Sequence, residues 1–128
     1  MGYHMIFAVA AGGAAGAVAR YLVMSSVGHW LGHGFPWGTI AVNIIGSLVL
    51  GALIEVMALV WSPTEAMRAF LVVGVLGAFT TFSAFSMDTV YLFERGEIIS
   101  AAFYVAASVF ICVLALWGGM TLFRQILV

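Results

Sequence analysis

The stretch GAFTTFSAFSMD, residues 77–88, brings aromatic rings and hydroxyl groups together inside one of the most apolar parts of the chain. Phe79, Phe82 and Phe85 recur every three residues, and Thr or Ser residues lie between them. Clustered Thr and Ser side chains can hydrogen-bond to backbone carbonyls and so bend or unwind a helix. The stretch therefore predicts a helix that is broken near residues 77–81.

The composition around this stretch indicates an integral membrane protein. Of the 128 residues, 65% are hydrophobic and 7% are charged, whereas roughly a quarter of the residues of a soluble domain are charged. A net charge of −1 does not indicate the excess of basic residues that nucleic-acid binding needs. The expected surrounding is the lipid bilayer. Cys112 is the only cysteine, which excludes an intramolecular disulfide.

Four uninterrupted apolar runs are long enough to cross a bilayer as helices. Strands are a poor alternative, because a transmembrane barrel alternates polar and apolar residues in segments of about 10. Ser62, which precedes Pro63 and lies three residues ahead of Glu65, predicts the start of the third helix. We predict an all-α membrane protein with one four-helix domain over residues 1–128. Its predicted spans cover residues 6–27, 39–60, 69–93 and 99–123.

The positive charges select no orientation in the bilayer. Arg68 and Arg124 lie on the side of the chain termini, whereas Arg95 lies on the other side, together with Arg20 if its side chain reaches that way. The positive-inside rule therefore favours neither orientation, and oppositely inserted copies can pair. Four short helices also enclose a pathway poorly. We expect a homodimer, with antiparallel dual topology favoured; the alternative is that four arginines are too few for this count to be informative.

Polar residues recur at helical spacing on two of the spans. Asn43 follows Thr39 by one turn, and Tyr104, Ser108 and Cys112 occupy every fourth position of the last span. Side chains four residues apart share one helix face, so each set forms a polar seam. A single such group commonly serves an interhelical hydrogen bond, typically worth about 0.6 kcal/mol. Two seams together favour a polar pathway.

Small residues and one arginine mark a face of the first span. Gly12 and Gly16 form a GxxxG pair, which predicts close helix packing, and Arg20 follows at the same interval. A charge inside a span costs about 2.5–3.5 kcal/mol on insertion scales, which makes it a candidate functional residue. Arg20 is also near enough to the helix end to reach the interface. Both roles stay open, and a functional Arg20 would favour an anion.

No arrangement typical of an enzyme occurs in the sequence. His4, His29 and His33 lie at the chain end or in the first connection, without the neighbouring Cys or carboxylates that a metal site needs. Glu55 and Asp88 fall toward span ends and are interpreted as vestibule or interface groups. We predict that the protein is not an enzyme.

The broken helix offers two kinds of ion contact. Backbone carbonyls freed between residues 77 and 81 could bind a hard cation such as Na⁺. The edge of a Phe ring is the positive part of its quadrupole, so Phe82 and Phe85 could face a small anion without carrying charge. The alternative is an aromatic packing cluster whose hydroxyls bond between helices.

Three motifs in order resemble the Fluc (CrcB-type) fluoride channel family: GGAAGAVARY (12–21), WGTIAVNIIGS (37–47) and GAFTTFSAFS (77–86). The resemblance covers nearly the whole chain, and the TTFS core with a second Phe three residues on is its specific part. It implies a fluoride-selective channel of the cell inner membrane that exports cytoplasmic fluoride passively. It also implies an antiparallel dual-topology homodimer with two pores and a central structural Na⁺.

The resemblance assigns roles to individual positions. Phe82 and Phe85 match the ring pair that lines the fluoride path, and Asn43 matches an amide donor near those rings. Gly77 and Thr80 match the break whose carbonyls hold Na⁺. The remaining implied positions are Thr39, Tyr104, Ser108, Cys112, Thr81 and Ser83 on the fluoride path and Arg20 at the vestibule.

Two positions depart from the family pattern. Ala84 stands where a hydroxyl residue is often found, so no donor exists there. Cys112 stands where a hydroxyl is common, and a thiol is a weaker donor.

Two other functions remain as alternatives. A proton-coupled exporter of the small multidrug resistance type is also a dual-topology four-helix protein, but it needs a carboxylate in the first span. This chain has Arg20 there and no carboxylate before Glu55. A non-transporting assembly subunit is the other alternative, for which the polar seams would be accidental.

Overall fold

The computed structural model describes residues 2–128, which form helices joined by short connections. Four helical stretches are long and apolar enough to cross a membrane, the third running over Glu65–Glu94. No strand occurs in the described range. The predicted all-α fold with four spans is therefore confirmed. The helices are α1 (Tyr3–Leu31), α2 (Trp37–Leu59), α3 (Glu65–Arg68), a π-helical segment (Ala69–Leu76), α4 (Gly77–Phe79), α5 (Phe82–Glu94) and α6 (Ile98–Leu127).

Three of the four spans extend beyond both ends of the apolar runs that predicted them, because backbone hydrogen bonding continues until a residue stops it, whereas α2 ends one residue earlier than predicted, at Leu59. α1 ends where Gly32 adopts a φ of 80° and its N–H bonds to the Gly28 carbonyl at 2.9 Å. A positive φ carries no steric cost for glycine. The helix start predicted at Ser62 is wrong: the hydroxyl of Thr64 accepts the Met67 N–H at 3.1 Å and caps α3.

Glycines allow two pairs of helices to touch through their backbones. A Cβ on Gly74 would lie 2.8 Å from the Gly12 Cα, and one on Gly16 would overlap the Val75 carbonyl oxygen. The Gly12–Gly16 face of α1 therefore packs directly on the π-helical segment, which confirms the close packing that the GxxxG pair predicted. α2 and α6 approach in the same way, since a Cβ on Gly51 would overlap the Leu116 carbonyl oxygen.

The third span changes partners along its length. Its π-helical segment and α4 pack against α1, whereas α5 packs against α6. Within residues 2–128 the backbones of the π-helical segment and α6 do not approach each other within 8 Å between Cα atoms. A gap remains between them, beside α2. This gap contains the candidate site.

An ion pair ties α2 to the end of α6. Arg124 donates to the Glu55 carboxylate at 2.6 Å, and the Glu55 side chain is 7% exposed, against 57% for Arg124. Because the buried member is the carboxylate, removing the arginine would leave a buried charge without compensation.

We expect Arg124→Gln to lower the thermal unfolding midpoint of the purified protein by about 5 °C. The double variant Glu55→Gln/Arg124→Gln removes both charges and should recover most of the loss. Thermal unfolding in detergent measures both changes. A double variant less stable than Arg124→Gln alone would contradict this account of the pair.

Candidate ion pathway

The break in the third span lies at Thr80 and Thr81, whose backbones are extended (φ −84°, ψ 160° and φ −153°, ψ 115°). Thr80 ends the first half, because both its N–H (3.1 Å) and its hydroxyl (3.0 Å) donate to the Leu76 carbonyl. Thr81 starts the second half, because its hydroxyl accepts the Ala84 N–H at 3.1 Å. Gly77 stays helical. The break lies within the predicted interval, and the Thr80 hydroxyl bonds to a backbone carbonyl as predicted, whereas the Thr81 hydroxyl accepts an N–H.

The side chain of Asn43 on α2 hydrogen-bonds to the extended backbone of Thr81. Its Oδ1 accepts the Thr81 N–H at 2.8 Å, and its Nδ2 donates to the Thr81 carbonyl at 3.1 Å. Both backbone groups of Thr81 are thereby paired at a depth where an unpaired group would be costly. An amide nitrogen carries two hydrogens, so one N–H of Asn43 remains for another partner. Asn43 is therefore a clamp on the break as well as a candidate donor.

Gly46 lets α2 approach the break, although the sequence interpretation passed it over. A Cβ at this position would overlap the Cγ2 of Thr80 and lie 3.4 Å from the Cδ2 of Phe79. Gly46 comes three residues after Asn43 and so shares its helix face. That spacing is the signal that could have identified it.

A cavity of about 450 Å³ lies beside the break, between α2, the third span and α6. No charged side chain is among the residues that line it. It brings together eight of the positions that the resemblance singled out. These are Asn43, Gly77, Thr80, Thr81, Phe82, Phe85, Ser108 and Cys112.

The aromatic rings form a short series that begins at an exposed ring. Phe82 is 77% exposed, and its ring centroid lies 5.3 Å from that of Phe85. Phe85 in turn lies 5.2 Å from Tyr104, which is fully buried. Phe79 is 8% exposed and packs inside the bundle. Of the three phenylalanines in the opening stretch, two therefore line the cavity and the third does not.

Ser108 places an unpaired hydroxyl in the cavity wall. The residue is 7% exposed, and its Oγ has no hydrogen-bond partner among residues 2–128. Buried polar groups are nearly always paired, and an exception calls for an explanation such as a bound ion or water. This hydroxyl is thus available to a ligand in the cavity.

Thr39 and Tyr104 lie outside this cavity, and Thr39 lines a separate cavity of about 320 Å³ together with Asp88. Thr39 is 2% exposed and Tyr104 is fully buried. The Tyr104 hydroxyl donates to the Asp88 carboxylate at 3.1 Å. The sequence interpretation did not connect Asp88 to the polar seam of α6, because only the packing of α5 on α6 joins them.

Arg20 and Ser83 line a second cavity, of about 490 Å³, between α1 and α5. Thr81 lines both cavities, so the two approach each other at the break. The Ser83 hydroxyl lies 3.3 Å from that of Thr81. Arg20 is half-buried and forms no salt bridge within the described residues. Its guanidinium remains available to an anion or to the membrane interface.

The break also frees carbonyl oxygen atoms. In a continuous helix the Gly77 carbonyl would accept the Thr81 N–H, but that N–H is bonded to Asn43. Within residues 2–128 no three His, Cys, Asp or Glu side chains are grouped as metal ligands. Backbone oxygens are ligands that hard cations prefer, so the donor chemistry fits Na⁺ better than a transition metal.

Comparison with known proteins agrees with the motifs. The family model described as CrcB-like protein, Camphor Resistance (CrcB), matches residues 7–120. The chain is 56% identical to the "Fluoride-specific ion channel FluC" of Rhodospirillum centenum, over 94% of this chain and 95% of the relative. It is 53% identical to the protein of the same name from Nitrobacter winogradskyi, over 98% and 100% of the two chains. The resemblance to the Fluc (CrcB-type) family is confirmed, and this chain belongs to the CrcB family.

Proposed function

We propose that this protein is a fluoride-selective channel that lets cytoplasmic fluoride leave the cell passively across the inner membrane. The names of its relatives support this assignment. The observation that carries it is the uncharged cavity beside the break, with the unpaired, buried hydroxyl of Ser108 in its wall. Such a site offers hydrogen bonds to a small anion without a fixed charge that would retain it.

The lining groups suit an anion that must exchange water for protein. Ser108 contributes an O–H group, Asn43 a second N–H group, and Phe82 and Phe85 the positive edges of their rings. A conducting site must bind its ion well enough to admit it and weakly enough to release it. Neutral donors meet both requirements. Thr81 and Ser83 extend the hydroxyl series toward the cavity that contains Arg20, which we assign to the vestibule.

Transport would need no coupled energy source. Fluoride that enters as membrane-permeant HF and dissociates in the cytoplasm leaves as an anion. An inside-negative potential favours that exit by about 2.3 kcal/mol per 100 mV.

The active form we propose is an antiparallel dual-topology homodimer with two pores. Phe82 is 77% exposed beside the cavity, although it belongs to the most specific motif of the chain. Val109 and Val113 of α6 line the same cavity and are also exposed. A second copy would cover these apolar groups and close the cavity into a conduit. The even distribution of arginines is compatible with insertion in both orientations.

The break also fits the structural Na⁺ that the family resemblance implies. The carbonyls of Gly77 and Thr80 are the groups that would hold it, and Gly77 has lost its helical hydrogen-bond partner. A bound Na⁺ would supply a positive charge that offsets the desolvation of an anion nearby. The chain itself shapes this site through Thr80, which ends the helix, and Asn43, which clamps the next residue.

Flux measurements on liposomes that contain the purified protein test the proposal. We expect rapid fluoride efflux when valinomycin and K⁺ compensate the charge, and efflux of chloride at least about 100-fold slower. Liposomes without protein provide the background. Absence of electrogenic fluoride efflux, or equal passage of chloride, would rule out the channel assignment. Proton-dependent movement of an organic cation would support the exporter instead.

A further inference from the structure

The polar seams of α2 and α6 lie side by side. The two helices run in the same direction, and Gly51 contacts the backbone of Leu116. Thr39 and Tyr104 are separated along the chain by the same number of residues as Gly51 and Leu116, and both are buried. Ser47 and Cys112 share this separation, and both line the cavity beside the break. Each position of the seam on α2 therefore lies at the same level as one position of the seam on α6. Successive pairs are one helical turn apart.

Ser47 is a position on α2 that the sequence interpretation left out of the polar seam. It follows Asn43 by one turn and lines the cavity beside the break, together with Cys112. The three pairs are therefore Thr39 with Tyr104, Asn43 with Ser108, and Ser47 with Cys112. In the middle pair the Asn43 side chain is turned to Thr81, which leaves the Ser108 hydroxyl without a partner.

Within the described part of the chain, the hydroxyl of Ser47 is not bonded to a carbonyl of its own helix, unlike three other helical hydroxyls in this protein. Those of Ser86, Thr89 and Thr121 donate to the carbonyl four residues earlier, at 3.1, 2.8 and 2.9 Å. Within residues 2–128 neither Ser47 nor Ser108 donates to such a carbonyl. Both residues line the cavity beside the break, so their hydroxyls are available to a ligand there.

We propose that Ser47 is a further residue of the ion path and supplies the hydrogen-bond donor beside Cys112. A thiol donates weakly, so a path that ended in Cys112 alone would offer an anion little at this level. The Ser47 hydroxyl lies about 6 Å along the helix axis from Asn43, the rise of four residues. It extends the donor series by one turn beyond Ser108. This inference rests on the proposed function.

The test is fluoride efflux from liposomes with Ser47→Ala, where we expect a loss of about tenfold, the effect of one hydrogen bond to a charged group. Ser26→Ala removes a hydroxyl from an exposed part of α1 and should leave efflux unchanged. The decisive variant is Ser47→Ala/Cys112→Ser, which restores a hydroxyl at the same level from the other helix. It should recover most of the efflux.

The outcomes separate this inference from the proposed function. If the unaltered protein conducts and Ser47→Ala conducts equally well, the role of Ser47 is refuted and the channel assignment stands. If Ser47→Ala conducts slowly and the double variant Ser47→Ala/Cys112→Ser conducts no faster, Ser47 acts through packing. That result also refutes the inference. If the unaltered protein passes no fluoride, the proposed function itself fails.

Discussion

Replacing Asn43 with leucine is expected to reduce fluoride efflux by more than about 100-fold. The substitution removes both hydrogen bonds to the Thr81 backbone, which measure 2.8 and 3.1 Å. Each backbone group left unpaired in a buried site costs about 1–3 kcal/mol, so the extended conformation at the break loses its main support. The loss of the second N–H of Asn43 would also deprive an anion of a donor.

Two further variants serve as comparisons for Asn43→Leu. Asn43→Asp keeps the oxygen that accepts the Thr81 N–H, loses the donor to the Thr81 carbonyl and adds a negative charge to the cavity, so it should be less destabilised than Asn43→Leu and still fail to conduct fluoride. Ile45→Ala alters a neighbouring side chain that is 42% exposed and should conduct normally. Liposome efflux and elution in detergent give the two readouts. Near-normal efflux through Asn43→Leu would contradict the proposed role of Asn43 in holding the Thr81 backbone.

Replacing Phe82 with isoleucine is expected to lower fluoride efflux on the order of 30-fold while the fold of the single chain is kept. The ring is 77% exposed, so its packing within the chain contributes little. Cation–π interactions at a ring face reach about 2 kcal/mol when desolvated, and we expect a similar magnitude for an anion at the ring edge. Isoleucine keeps much of the apolar volume and removes that edge.

Phe79→Ile is the matched control for this prediction. Phe79 belongs to the same motif but is 8% exposed and lies outside the lining of the cavity. Its substitution should lower the thermal midpoint more than Phe82→Ile does and change efflux less. Thermal unfolding and liposome efflux of the two variants measure these effects. If both variants lose efflux equally, the rings act through packing, and the direct role of Phe82 is wrong.

Residues that act through their nearest chain neighbours were predictable from the sequence. Thr80 and Thr81 break the third span because their hydroxyls bond within four residues of their own positions. The same short range defines the seam of Tyr104, Ser108 and Cys112. The four spans follow from the length of each apolar run, which needs no knowledge of its neighbours.

Contacts between helices required the tertiary structure. The two hydrogen bonds of Asn43 to Thr81 connect residues 38 positions apart, and the Tyr104–Asp88 bond depends on how α5 rests on α6. Ser47 had the right spacing from Asn43, but only the alignment of α2 with α6 brings it to the same cavity as Cys112. The cap of the third span also fell at Thr64 and not at Ser62, because several hydroxyls near a helix start can compete.

The sequence by itself determined that this chain forms four membrane helices, where the third one breaks and which helix faces are polar. Those properties follow from apolar length, local hydroxyl chemistry and the period of the helix. The tertiary structure alone decided which polar groups are paired and which remain free, since that depends on the rotation and crossing of each helix. Ser108, whose hydroxyl is unpaired, and Ser47 both line the cavity between α2, the third span and α6.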